Sequence, residues 1–187
     1  MPCASAAIRP ALSKDLRQMK RFAILALAAL ALAACQPKPA DKANADLAGK
    51  PSAQSAAFMA KIAKEPGVKV LPSGLAYKIV RSGPATGIKP QAKDEVKVHY
   101  EGKLEDGTVF DSSYERGQPA AMPLDRLVPA WQEALPMMRP GDEWILYVPS
   151  NLGYGEEGQG PIPPGAPLIF RIELIDVLPA PGRIQQG

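Results

Sequence analysis

Apolar and polar side chains alternate through Val96-Lys97-Val98-His99-Tyr100-Glu101, the period of a strand with one face in a core and the other in water. Val96, Val98 and Tyr100 point inward on this reading, and His99 outward. Asp106-Gly107 supplies a dipeptide that tolerates positive φ in a hairpin turn, after which Thr108-Val109-Phe110 resumes a β-prone run. Phe110 and Asp111 are adjacent, so a regular strand sends them to opposite faces. A strand end or bulge near Asp111 is needed to bring both to one cavity. Residues 96–113 therefore predict a ring-walled pocket that holds one hydrogen-bonding carboxylate.

Leu75, Tyr77 and Ile79 alternate in the same way, and residues 143–150 and 167–178 read as further strands, separated by a long Gly/Pro loop over 151–166. Residues 112–123 read as a polar connection. Residues 128–138 predict a helix with Pro129 in its first turn and Trp131, Leu135 and Met138 on one face, ended by Pro140-Gly141. Upstream, Ala56, Ala57, Phe58, Ala60, Ile62 and Ala63 favour a short helix over 52–64 that Pro66-Gly67 stops. Phe58 and Ile62 share a face, and a helix this short is marginal alone, so that face is expected to pack on the domain. The pattern is α+β, an antiparallel sheet with one short helix.

The first third of the chain is different. Met19-Lys20-Arg21 precedes an apolar run over 22–34, FAILALAALALAA, the order of a secretory signal, with Met19 an alternative start. A bilayer span needs about 20 apolar residues, more than this run offers. Leu32-Ala33-Ala34-Cys35 resembles the lipobox of bacterial lipoproteins, which implies that Cys35 is acylated and opens the mature chain. Gln36 is similar to the second residue of lipoproteins sorted to the outer membrane. Residues 35–51 are rich in Pro, Lys and Ala and read as an extended tether.

Loss of residues 1–34 removes Arg9, Lys14, Arg17, Lys20, Arg21 and Asp15, so the 22 basic and 19 acidic side chains fall to 17 and 18. The net charge becomes slightly negative, which removes the argument for nucleic-acid binding. Cys3 lies upstream of the cleavage, so the mature domain has no disulfide.

Much chemistry is absent. His99 is the sole histidine and points away from Tyr100, with no serine or cysteine nucleophile motif to accompany it. No cysteine pair and no second histidine remain for zinc, so no metal site and no cofactor are expected. Residues 153–160, GYGEEGQG, lack the Lys-Ser/Thr of a phosphate loop, and Glu156 and Glu157 read as solvated charges. What remains is aromatic and aliphatic: Tyr100, Phe110, Trp131, Tyr154 and Phe170, with Leu127, Val128 and Ile162 near them in sequence. Any one of these alone reads as core.

Together, VHYEGKLEDGTVFDSS, RLVPAW and NLGYGEEGQGPIPPGAPLIFRIELIDV resemble the FK506-binding-protein family of peptidyl-prolyl cis-trans isomerases over about residues 68–178. LPSGLAYKIV, preceded by AAFMAKIAKEPGV, is similar to the bacterial macrophage-infectivity-potentiator subgroup, in which a long helix leads from an N-terminal dimerisation region into the isomerase domain. The resemblance implies a bent antiparallel sheet wrapped around one short helix over residues 67–179, preceded by the short helix of 52–66 and followed by a tail over 180–187.

It further implies a proline pocket with Trp131 as floor, Tyr100, Phe110 and Phe170 as walls, Asp111 as the pocket carboxylate, and Tyr154 and Ile162 in an overhanging loop. Leu127 and Val128 match the segment that pairs with a bound peptide or macrolide. Ala120, Ala121 and Met122 stand where the family places aromatics, so Met122 contributes a thinner wall. Gln159 falls where some members carry histidine. The implied activity is isomerisation of X-Pro bonds during folding of cell-envelope proteins. The alternative is a non-catalytic holdase or scaffold using the same cleft. Implied partners are proline-containing unfolded polypeptides, FK506-like macrolides as inhibitors, and the outer membrane through a lipid on Cys35, with the domain facing the periplasm. About 30 residues separate Cys35 from Pro66, too few for the subgroup's dimerisation region, so a monomer is expected.

Overall fold

Ser52 starts the first helix, α1 (Ala53–Ile62), by accepting a hydrogen bond from the Ser55 N–H on its side-chain oxygen, which satisfies one of the unpaired donors of the first turn. The computed structural model describes residues 49–182. The readings for the signal segment, Cys35, the tether up to residue 48 and the tail from residue 183 lie outside the described residues. No helix among the described residues is long and apolar enough to cross a membrane.

After α1 come β1 (Val68–Val70), β2 (Ala76–Arg81), β3 (Glu95–Leu104), β4 (Val109–Ser112), β5 (Ala120–Pro123), a 3-10 turn (Leu124–Arg126), α2 (Pro129–Ala134), β6 (Glu143–Val148), a second short turn (Ser150–Leu152) and β7 (Leu168–Leu178). The strands form one antiparallel sheet in the order β1-β2-β6-β7-β3-β4, with β5 pairing the start of β3. This is the expected α+β architecture.

Two strands lie in segments not read as strands. β5 is Ala-Ala-Met-Pro, with no β-branched residue, and exists because Val96 pairs with Met122 and Val98 with Ala120; tertiary pairing overrides local propensity. β1 is three residues at the sheet edge. The helix expected over 128–138 is shorter: α2 ends at Ala134 and continues as a 3-10 turn, Leu135–Met137. Pro136 has no N–H to extend the α ladder. The hairpin loop closes where expected, with Gly107 at φ +88° and the Leu104 N–H donating to the Thr108 carbonyl at 2.9 Å.

Alternation along β6 and β7 separates two apolar clusters. Trp144, Leu146, Val148, Leu168, Phe170, Ile172 and Leu174 join the main core with α2. Tyr147 and its neighbours Ile145 and Ile169 face the other way, where Ile62, Phe58 and Met59 of α1 cover them together with Ala76. The sheet is thus apolar on both faces at this corner, and α1 is the cover that its length needs for stability.

Candidate functional site

The register of β3 against β4 decides which side chains reach the cavity. Gly102 pairs with Asp111, but Lys103 pairs with Val109, so Phe110 is an extra residue without an opposite number. Such a bulge re-aims side chains, and both Phe110 and Asp111 line one cavity of about 230 Å³. Gly102 is required beneath them, because a Cβ there would lie 2.5 Å from the Phe110 ring and 3.0 Å from that of Phe170.

Four rings form a continuous chain of perpendicular contacts. Tyr100 meets Trp131 at 5.3 Å between centroids, Trp131 meets Phe170 at 5.4 Å, and Phe170 meets Phe110 at 5.7 Å. Edge-to-face geometry of this kind is favoured by the ring quadrupoles, and it fixes each wall through its neighbour. Trp131 is 4% exposed and sits in the first turn of α2, where Pro129 occupies a position that needs no donor. Ahead of it, the Gln132 side-chain amide donates to the Leu127 carbonyl at 2.7 Å and fixes the Leu127-Val128 segment along the cavity edge.

The polar edge of the site is a closed triangle. The Tyr100 hydroxyl donates to one Asp111 oxygen, Arg116 donates to the other, and the second Arg116 nitrogen donates to the Tyr100 hydroxyl at 2.9 Å. Burial pushes the Asp111 carboxyl up, but the hydrogen bonds from Tyr100 and Arg116 and the guanidinium charge outweigh it, and its pKa lies below the usual carboxylate value. Burial, then the bond to Asp111, raises that of Tyr100. Burial and the negative charge of Asp111 raise that of Tyr154 across the cavity. Asp111 is therefore a fixed anion at neutral pH, and the two phenols are neutral donors.

Met122, Leu127, Val128, Tyr154 and Phe170 line the same cavity. Ile162 does not: it is buried at 6% exposure in the main core, and its backbone bridge to Gln159 presents Gln159 to the cavity instead. His99 lies outside, stacked on Tyr114 at 4.7 Å with Nδ1 3.0 Å from the Ser113 hydroxyl oxygen. Glu156 and Glu157 are exposed, and no acidic, histidine or cysteine cluster among the described residues could hold a metal.

Two residues escaped the sequence reading. Arg116 follows Asp111 by five residues in a polar turn, and a cation within a turn of a pocket carboxylate was the available signal. Arg126 lines the cavity and is exposed, with no ion pair among the described residues.

Residues 86–175 match the family described as FKBP-type peptidyl-prolyl cis-trans isomerase, and residues 4–79 match the domain amino-terminal to FKBP-type peptidyl-prolyl isomerase. The chain is 51% identical over 125 residues to peptidyl-prolyl cis-trans isomerase Mip of Coxiella burnetii, covering 66% of this chain and 54% of that protein. It is 47% identical over 126 residues to outer membrane protein MIP of Legionella longbeachae, covering 67% and 53%. The chain thus spans about half the length of these curated relatives. Its structure is similar to the crystal structure of a peptidyl-prolyl cis-trans isomerase from Pseudomonas syringae pv. tomato, with a TM-score of 0.62 at 38% identity over 78% of this chain and 100% of that one.

Proposed function

The chain belongs to the FKBP-type peptidyl-prolyl cis-trans isomerase family, and we propose on that premise that it accelerates rotation about X-Pro bonds in unfolded or partly folded polypeptides. The observation that carries this reading is the four-ring chain around a small cavity with one fixed anion at its rim. At about 230 Å³ the cavity falls below the roughly 300–1,000 Å³ of drug-sized ligand sites, which suits a single five-membered ring with its flanking amide.

The barrier to be lowered is about 18–20 kcal/mol, because rotation breaks amide resonance. A twisted amide has lost that resonance, so its carbonyl is less polar than in the planar ground state. Rings and aliphatic side chains stabilise the less polar species relative to the planar one, the differential effect that catalysis requires. No nucleophile takes part. Asp111, already ionised and occupied by Tyr100 and Arg116, holds the Tyr100 wall and orients the peptide without exchanging protons. The Tyr154 hydroxyl, kept protonated by burial and the Asp111 charge, is a second donor for the peptide. The Val128 N–H, which has no acceptor among the described residues, is open to a peptide carbonyl beside the cavity.

Tyr100, Phe110, Asp111, Trp131, Tyr154 and Phe170 form the catalytic pocket, with Met122, Leu127, Val128 and Gln159 as substrate contacts. FK506-like macrolides are the corresponding inhibitors. The lipobox-like Cys35 and the outer-membrane name of the Legionella relative support a lipid-anchored protein of the cell envelope that faces the periplasm and acts on envelope polypeptides, and the short interval between Cys35 and Pro66 favours a monomer.

A protease-coupled assay on short prolyl peptides tests the activity. Acceleration above the uncatalysed rate, abolished by an FK506-like macrolide, is expected. Absence of acceleration across several residues before proline would defeat the catalytic reading, and suppression of client aggregation by the same inactive protein would point to a holdase.

A further inference from the structure

The loop that carries Tyr154 and Gln159 over the cavity is tied at its base to the start of α1, through residues about a hundred positions away. The Ser52 N–H donates to the Ser150 hydroxyl oxygen at 3.0 Å, and the Ser150 N–H donates to the Ser55 hydroxyl oxygen at 2.8 Å. The Ser52 hydroxyl donates to the Gly165 carbonyl at 2.6 Å. The Gly165 N–H then donates to the Gly155 carbonyl at 2.9 Å, and the Gly155 N–H to the Ser150 carbonyl at 2.8 Å. These bonds form a closed circuit: helix cap, loop start, the residue after Tyr154, loop end, helix cap. Ser55 and Ser150 are fully buried. Contact at Gly165 is close, since a Cβ there would lie 2.9 Å from that of Ser52.

A helix cap alone needs only the Ser52 oxygen as acceptor for the Ser55 N–H, at 3.0 Å. The Ser52 proton is not needed for capping. It is spent on the loop, on a carbonyl whose own amide holds Gly155 beside Tyr154. We infer that Ser52 is a positioning residue for the active-site loop: its hydroxyl proton sets Tyr154 over the pocket, with Ser55 and Ser150 as the other members of the clamp. The isomerase site therefore includes α1, a segment outside the strands that build the pocket. This inference rests on the isomerase reading for its catalytic consequence, but the clamp itself can be measured without activity.

The two roles of Ser52 separate by substitution. Ser52→Asp keeps an acceptor for the Ser55 N–H, and with it the cap, but has no proton for Gly165 and sets a carboxylate against its carbonyl. Ser52→Asn keeps both acceptor and donor. In the full chain, Ser52→Asp is expected to lower the thermal midpoint by only a few degrees, to exchange its Gly155 and Gly165 amide protons at least fivefold faster, and to lose about fivefold in kcat/KM on a prolyl peptide, the scale of one hydrogen bond. Ser52→Asn is expected to restore both.

Ser52→Gly, which removes the hydroxyl at a position where glycine caps tolerably, repeats the test should the aspartate variant not fold. Unchanged exchange at Gly155 and Gly165, or unchanged kcat/KM with faster exchange, would overturn the inference. Because amide exchange needs no turnover, failure of the clamp is distinguishable from failure of the isomerase reading.

Discussion

Gly102 lies directly under the Phe110 ring, at a distance that leaves no room for a single methyl group. Gly102→Ala is expected to cost about 1–3 kcal/mol by overpacking, and also to displace Phe110 and lower kcat/KM. Chemical denaturation gives the first quantity and the coupled peptide assay the second. A variant of wild-type stability and turnover would show that the ring moves aside freely.

Asp111→Ala removes the fixed anion from a half-exposed position outside the core. The fold is expected to remain, while kcat/KM falls about tenfold or more, the effect of losing a charge-assisted contact. Trp131→Ala, by contrast, empties the pocket floor within the core and is expected to cost about 3–5 kcal/mol of stability as well as activity. Thermal melts beside turnover measurements separate the two.

Turnover is expected to be flat from about pH 5 to pH 9, because the cavity is lined by no histidine and its phenols are held protonated. Asp111 has a folded pKa below its ordinary 3.8, so its contribution to stability is complete above that value and is lost as pH falls through the depressed one. In Arg116→Gln, burial is opposed by one partner fewer, and the acid limb of the rate profile moves to higher pH. At the alkaline end, burial holds Tyr100 and Tyr154 protonated beyond the ordinary 10.0. The unfolded chain loses those protons first, so stability declines as pH rises past that value.

Met122→Phe adds a ring to the thinnest wall of the cavity. Met122 already lines the cavity from β5, so the substitution is expected to tighten macrolide binding several-fold by adding edge-to-face contact with existing walls. Competition titration against the prolyl substrate measures it, and weaker binding would mean that the cavity is too narrow for a further ring.

The pocket was legible where the period of two and ring chemistry coincide. Val96, Val98 and Tyr100 announce an inward face, and adjacency of Phe110 to Asp111 demands the bulge that β4 contains. The rest depends on contacts that no local pattern records. β5 exists only against β3. The Arg116 triangle joins three residues whose proximity is made by a turn, and the serine circuit joins residues 52 and 165 through hydroxyl protons that leave no periodicity. Ile162 lies in the loop with Tyr154 but is buried, and its bridge partner Gln159 lines the cavity.

β7 is the last strand among the described residues yet lies inside the sheet, with β6 on one side and β3 on the other. Val98 has no partner on that side until Leu174 has been made, and Leu146 must wait for Phe170. Synthesis from the N-terminus therefore yields a chain that cannot close its sheet before β7 appears. The sheet therefore closes in one late step, when β7 enters between two strands made long before it.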